Sequence, residues 1–142
     1  MAKLLDAQIS QNASYANSIS IPVSTTPQLF AQLTASTFGA TGTVRTEMTG
    51  TVTVQLPLIP FATSITVTIV RGTTLSDLII YSVRQVLDLS VLGPQVLSFT
   101  ASDFNVPITA NNQVVYTAFV SASAIGTVRV GPESFNAAVY SD

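Results

Sequence analysis

The sequence contains no cysteine and no histidine. The missing cysteines exclude disulfide bonds and thiolate nucleophiles, and the missing histidines remove the commonest general base and the commonest metal ligand. The acidic residues are too widely spaced for a local carboxylate pair or a calcium-binding loop. We therefore predict that the protein is not an enzyme and that it binds no cofactor and no metal ion.

Charged residues are also scarce, since only 8% of the 142 residues carry a charge and the net charge is −2. An ordinary soluble chain carries about 25%. Five basic residues cannot form the positive surface that phosphate neutralisation requires, so we expect no nucleic-acid partner. A surface so poor in charge favours association between copies of the protein.

Long hydrophobic runs are absent as well. The longest, residues 56–62, contains Pro57 and Pro60, and no stretch approaches the 18 apolar residues of a spanning helix. Charges at Lys3 and Asp6 interrupt the first residues, so no secretory signal peptide is visible. We expect no membrane insertion and no export by the ordinary secretory route.

Short hydroxyl and β-branched residues dominate, because Ser, Thr and Val make up 52 of the 142 residues. This composition favours strands. Val44, Met48 and Val52 alternate with polar residues, which predicts a strand with one buried face. Gly50 interrupts the buried row, where we expect a bulge or bend.

Turn residues separate eight predicted strands, and no helix is expected. The strands are at residues 28–38, 44–56, 65–69, 78–89, 97–100, 114–123, 127–130 and 134–140. Apolar residues on both sides of 78–89 indicate a central strand or one at an interface. The prediction is an all-β, eight-stranded jelly-roll (Greek-key) sandwich.

The first 20 residues are small and polar, with few apolar side chains. We interpret residues 1–20 as an N-terminal connector arm and residues 21–142 as the jelly-roll domain. Extended at roughly 3.3 Å per residue, such an arm reaches a second subunit. Leu4, Leu5, Ile9 and Tyr15 are the side chains expected to contact that neighbour.

Few ionisable residues fall within the predicted strands and turns. Asp103 is expected to cap a turn, with a weak calcium site as the lesser alternative. The charges within strands are expected to face solvent, or alternatively to align a partner. These strand residues are Arg45, Glu47, Arg71, Arg84 and Arg129.

Three segments carry a resemblance to a known group of proteins: Gln-Leu-Phe-Ala-Gln-Leu at 28–33, Ile-Thr-Val-Thr-Ile-Val-Arg-Gly at 65–72, and Leu-Ser-Phe-Thr-Ala-Ser-Asp-Phe at 97–104. With the polar arm, they resemble jelly-roll proteins of Bacillus-type spore surfaces, namely endospore appendage subunits and exosporium proteins with tumour-necrosis-factor-like domains. The resemblance implies an extracellular location on the exosporium or coat after lysis of the mother cell. It also implies an N-terminal connector that docks into a neighbouring subunit. The cysteines that cross-link such connectors are missing here.

Together these features predict a structural subunit that self-assembles into a fibre, an endospore appendage or pilus-like filament, through docking of its arm on an identical subunit. Other spore-surface proteins or a tip adhesin are further expected partners. The alternatives are a viral or phage jelly-roll coat protein, and a trimeric spore-surface adhesin or binding module.

Overall fold

The computed structural model describes residues 1–142 and contains ten β-strands and no helix. The all-β prediction is confirmed. The strands are β1 (Lys3–Ala13), β2 (Ile21–Pro22), β3 (Gln28–Ser36), β4 (Val44–Gln55), β5 (Ser64–Arg71), β6 (Leu78–Val86), β7 (Gln95–Phe104), β8 (Gln113–Ala122), β9 (Val128–Arg129) and β10 (Glu133–Ser141).

The strands form two antiparallel sheets. In the first sheet β1 pairs with β10, β10 with β4, and β4 with β7. The short strands β9 and β2 extend this sheet beside the end of β4. The second sheet has the order β3-β8-β5-β6. Consecutive long strands therefore switch repeatedly between the sheets, and many pairings join distant parts of the chain.

A core of 26 buried residues fills the space between the sheets. As the alternation predicts, Val44, Met48 and Val52 on β4 are buried, while Glu47 and Thr49 on the opposite face are exposed. The apolar and polar faces of β4 thus follow the two-residue period of a strand with one face in the core.

Gly50 does not mark a bulge, because β4 pairs with β10 and β7 in unbroken register on both sides of it. The Phe99 ring instead occupies the space that a side chain at position 50 would fill. A Cβ atom built on Gly50 would lie 2.2 Å from Cζ of Phe99. The glycine is needed for this close approach of an aromatic ring to the neighbouring strand.

Two other strands differ from the expectation. β6 is not central, since it forms an edge of the second sheet, and Leu78, Ile79 and Val86 on it are exposed. The alternative expectation, a strand at an interface, stays a prediction. β7 runs ten residues rather than four, so Asp103 and Phe104 lie within a strand and not in a loop. Pairing with β4 along the whole of its length extends β7 beyond its short apolar run.

Residues 3–13 form β1 in this structure, and β1 pairs with β10 of the same chain from Lys3 opposite Ser141 to Ala13 opposite Glu133. The expected arm is therefore an edge strand of the first sheet and is not detached from the domain. Its partner strand lies more than 100 residues further along the chain, so no local hairpin pattern in the sequence predicts this pairing. No break at residue 20 separates an arm from a domain, because Ile21 and Pro22 continue into the same sheet.

The strand directions sort the connections into two ends of the sandwich. We name the four connections at residues 23–27, 56–63, 87–94 and 123–127 the apolar end. At the opposite end lie the three connections at 37–43, 72–77 and 105–112, the adjoining strand residues and both chain termini. We name this the charged end.

Candidate functional site: the two ends of the sandwich

The four connections of the apolar end expose seven large apolar side chains and a single charged residue, Asp88. Leu58 is 99% exposed and Ile59 86% exposed, so both project fully into solvent. The seven are Leu58, Ile59, Phe61, Leu89, Val91, Leu92 and Ile125. Clustered exposed apolar side chains of this kind mark surfaces that are covered in a complex.

The connections of the apolar end are held against one another by backbone hydrogen bonds. The Leu87 amide donates to the Thr63 carbonyl at 2.9 Å, and the Ser123 amide donates to the Ser64 carbonyl at 2.9 Å. A Cβ built on Gly126 would lie 3.2 Å from Cγ of Pro57, so these two connections are in close contact. Residues 56–63 therefore contact two neighbouring connections of the apolar end.

At the charged end the three connections expose Phe38, Leu75 and Ile108, and the adjoining strand residues and N-terminal residues expose five more large apolar side chains, namely Met1, Leu4, Leu78, Ile79 and Phe104. Ionic groups lie beside them. Arg45 Nη1 donates to Asp142 Oδ1 at 3.0 Å, and this hydrogen bond is the main reason why the pKa of Asp142 is lowered.

Two further carboxylates at the charged end accept backbone amides. Asp77 Oδ2 accepts the amides of Thr73 and Thr74 at 2.9 Å each, which lowers the pKa of Asp77. Asp6 Oδ2 accepts the Ser36 amide at 2.7 Å, and this bond lowers the pKa of Asp6 while joining β1 to β3 across the two sheets.

Asp103 lies within the sandwich and does not cap a turn, contrary to the expectation. The side chain is 5% exposed and accepts hydrogen bonds from Arg71 Nε at 2.8 Å and Arg71 Nη2 at 2.7 Å. The Tyr116 hydroxyl lies 2.8 Å from Asp103 Oδ2 and 2.8 Å from Thr46 Oγ1. The four residues come from both sheets, so this cluster fastens the sheets together.

The electrostatics of the Asp103 cluster follow from its burial. The hydrogen bond to Asp103 raises the pKa of Arg71, and burial raises the pKa of the Tyr116 hydroxyl above its ordinary value. Arg71 therefore stays charged opposite Asp103, and Tyr116 stays neutral as a hydrogen-bond donor. The cluster is a structural ion pair in which Arg71 and Tyr116 both partner the carboxylate of Asp103.

A second buried ion pair lies near the apolar end, where Arg129 pairs with Glu133. The Arg129 side chain is 4% exposed and the Glu133 side chain is fully buried. Asn12 Nδ2 on β1 donates to Glu133 Oε1 at 2.9 Å. Arg129 and Arg71 thus point into the protein, which corrects the expectation that the charges within strands face solvent or a partner.

The four predicted subunit-contact residues have different surroundings. Leu4, Ile9 and Tyr15 are exposed, at 57%, 71% and 76%. Leu5 is partly buried and packs against the core of its own chain. The structure does not bring the four side chains together at one surface, and they lie along the outer edge of the first sheet and in the connection that follows β1.

Sequence reasoning missed the apolar end as a candidate site. Residues 56–62, where Leu58 and Ile59 lie between two prolines, contain an apolar segment that could have indicated this surface. From the sequence alone, these prolines indicated only that the segment is not a membrane-spanning helix. Leu92 and Ile125 lie far from it in sequence. Only the folded strands bring these connections to one end of the molecule.

No group of three or more acidic side chains is close enough to hold a metal ion. The carboxylates of the charged end are separated in the chain, since Asp6 lies in β1, Asp77 in the connection at 72–77 and Asp142 after β10. The structure also has no helix of the length and apolar character that a membrane crossing needs.

No protein-family model matches the chain, and no curated protein sequence matches it. Among solved structures, the chain is similar to one in the cryo-EM structure of Broad Bean Stain Virus, with 10% identity over 92% of this chain and 89% of that chain and a TM-score of 0.38. It is also similar to one in naturally occurring empty particles of Cowpea mosaic virus, with 9% identity, the same coverage and a TM-score of 0.34.

A third likeness is to the enzymatically active domain of tailspike protein 4 of bacteriophage CBA120. The identity is 11% over 99% of this chain and 19% of that chain, with a TM-score of 0.26. These values are too low to decide the function of the present chain.

Proposed function

We propose that the protein is a structural subunit that assembles with identical copies. The observation that supports this proposal is the composition of the surface, where 20 large apolar side chains are exposed against six exposed charged residues. Monomeric soluble proteins rarely leave so much apolar surface in contact with water. Association of copies removes it from solvent without any ligand.

The strand order supports an eight-stranded jelly roll as the fold of this subunit. Counting only the eight long strands along the chain, the first sheet contains the first, eighth, third and sixth, and the second contains the second, seventh, fourth and fifth. All pairings are antiparallel and the strands alternate between two packed sheets, as expected for this fold.

Two architectures of the assembly are open to experiment. A closed shell or layer uses lateral contacts of complete subunits, as in the coat-protein alternative. A fibre linked through residues 1–20 requires β1 to leave its own sheet and pair with β10 of a neighbour. The exposed positions of Leu4 and Ile9 on the edge strand β1 favour this second candidate, because few core contacts hold them in place. The sequence resemblance supports placing either assembly on a spore surface.

The test of the proposal is the size of the purified protein over a wide concentration range. Light scattering after gel filtration, followed by negative-stain microscopy, is expected to find particles or fibres much larger than 14.9 kDa. A protein that remains a monomer at millimolar concentration would overturn the proposal.

The two architectures are separated by locking β1 in place. Ala7 lies opposite Ala138 on β10, so the paired change Ala7→Cys with Ala138→Cys permits a disulfide within one subunit. If fibres form by exchange of β1, the oxidised variant does not form them and the reduced variant does. Equal assembly in both states rules out exchange and leaves lateral contacts.

A further inference from the structure

The strand β7 forms an edge of the first sheet that is open to another strand. β7 pairs only with β4, and no backbone hydrogen bond joins its other side to any part of the chain. Its pairing with β4 runs from Gln95 to Phe104 without a break in register, and it contains no proline. Its only charged residue, Asp103, is buried against Arg71. A long, regular edge strand without exposed charge is a template for pairing with another strand.

The other three long edge strands are protected. β1 carries Lys3 and Asp6 and has two breaks in its register with β10. β3 has one break in its register with β8, and its Ser36 amide already donates to Asp6. β6 carries the exposed Arg84 and has a break in its register with β5. Charge and irregular register both oppose edge-to-edge pairing, so β7 is the edge best suited to it.

The exposed face of β7 has a symmetric sequence, and this symmetry selects the partner. Going outward from Thr100, the exposed side chains are first Ser98 and Ser102, and then Val96 and Phe104. A two-fold axis at Thr100 would therefore place threonine opposite threonine, serine opposite serine and valine opposite phenylalanine. Pairs of hydroxyl side chains, and pairs of an aromatic with a β-branched side chain, stabilise neighbouring strands.

We infer that β7 pairs in antiparallel fashion with β7 of a second copy of this chain, around a two-fold axis at Thr100. The first sheets of the two copies then form one continuous sheet, and the open side of β7 gains backbone hydrogen-bond partners. A register shifted by one residue would place exposed side chains opposite buried ones, and a shift by two would separate Val96 from Phe104. The inference rests on the proposed function, and it identifies one contact between the copies and its symmetry.

The first test changes the two ends of this contact. Val96 is 56% exposed and Phe104 is 74% exposed, so the double variant Val96→Lys with Phe104→Lys is expected to keep the fold. Lysines then lie opposite each other at both ends of the contact, and the concentration at which half of the copies associate should rise about tenfold. The matched control is Leu78→Lys with Val86→Lys on β6, two positions that are also exposed, and it should leave association unchanged. Sedimentation velocity measures association, and circular dichroism verifies the fold of each variant.

The second test reads the register, using the absence of native cysteine. Directly opposite residues of an antiparallel pair have Cα atoms about 4.5–5.5 Å apart, a separation that a disulfide bond spans. Copies carrying Thr100→Cys should therefore oxidise to covalent dimers. Copies carrying Ser98→Cys and copies carrying Ser102→Cys should form dimers only when the two variants are mixed. The control Ser82→Cys, at the middle of β6, should remain a monomer on a denaturing gel without reductant.

The outcomes separate the inference from the proposed function. A wild-type protein that never associates overturns both. A wild-type protein that associates, together with a Val96→Lys, Phe104→Lys variant that associates equally well, overturns the inference alone. Linkage through Ser82→Cys rather than Thr100→Cys places the contact at β6, which overturns the inference and leaves self-assembly in place. Efficient linkage of Ser98→Cys copies to one another contradicts the two-fold axis at Thr100 in the same way.

Discussion

The two ends of the sandwich differ in whether their ionic groups are exposed or buried. The charged end displays ionic groups such as Asp77 and Asp142 to solvent, where backbone amides and Arg45 partner them. The connections of the apolar end contain only one charged residue, Asp88, and the ion pair near this end, Arg129 with Glu133, is buried. The ionic groups of the chain are therefore unevenly distributed between the two ends of the sandwich.

The largest effect is expected from the hidden pair near the apolar end. Arg129→Ala leaves the fully buried Glu133 without its cation, which should lower the free energy of unfolding by about 3–5 kcal/mol. Chemical denaturation measures the change. The control Arg84→Ala removes an exposed cation that donates to Ser64 Oγ, and it should cost about 1 kcal/mol or less.

A double change sharpens this first prediction. Arg129→Met with Glu133→Met removes both charges, and much of the lost stability should return because neither ion is then buried alone. If Arg129→Ala costs no more than Arg84→Ala, the pair is not essential to this end of the sandwich.

A smaller effect is expected at the charged end. Tyr116→Phe removes the hydroxyl that lies 2.8 Å from Asp103 and from Thr46, while Arg71 still neutralises the carboxylate. Hydrogen bonds to charged groups contribute about 1.5–3 kcal/mol, and unfolding in denaturant should show a loss in this range. In the control Tyr140→Phe the hydroxyl has no partner within the chain, so that variant should unfold like the wild type. Equal losses in the two variants would contradict the role given to the cluster.

The smallest effect is a response to acid, concentrated at the charged end. The pKa values of Asp6, Asp77 and Asp142 are lowered by hydrogen bonds in the folded protein. Their stabilisation is complete above the pKa of the unfolded carboxyl, about 3.9, and is lost as the pH falls through the lower folded value. At the apolar end only Asp88 behaves in this way.

The measurement is a titration of amide resonances by NMR between neutral pH and about pH 2, a range that spans the ordinary Asp pKa of about 3.9. The amides of Ser36 and Thr73 should shift below that pKa, and in Asp6→Asn the Ser36 shift should vanish while the Thr73 shift remains. Shifts spread evenly over both ends would contradict the uneven distribution of charge.

The fold class was accessible from the sequence because it depends on local periodicity. Val44, Met48 and Val52 reveal a strand and its buried face without any knowledge of the neighbouring strands. β1 was not accessible in the same way, because its small polar residues gain a strand structure only from pairing with β10.

The candidate site was less predictable, since it is formed by residues far apart in the chain. Asp103 resembles a turn residue until Arg71 and Tyr116 are placed beside it by other strands. Leu58, Leu92 and Ile125 are ordinary exposed apolar residues when taken singly. They become a candidate site only because the strand order places their connections at one end of the sandwich.

The pairing of β1 with β10 has a consequence for biosynthesis. Residues 3–13 are translated more than 100 residues before residues 133–141, the strand with which they pair. The first sheet is therefore completed only after translation has reached its last strand. Such non-local pairing is slow. Throughout that delay β1 has no partner in its own chain, and a neighbouring polypeptide whose β10 has already been translated offers it an equivalent one.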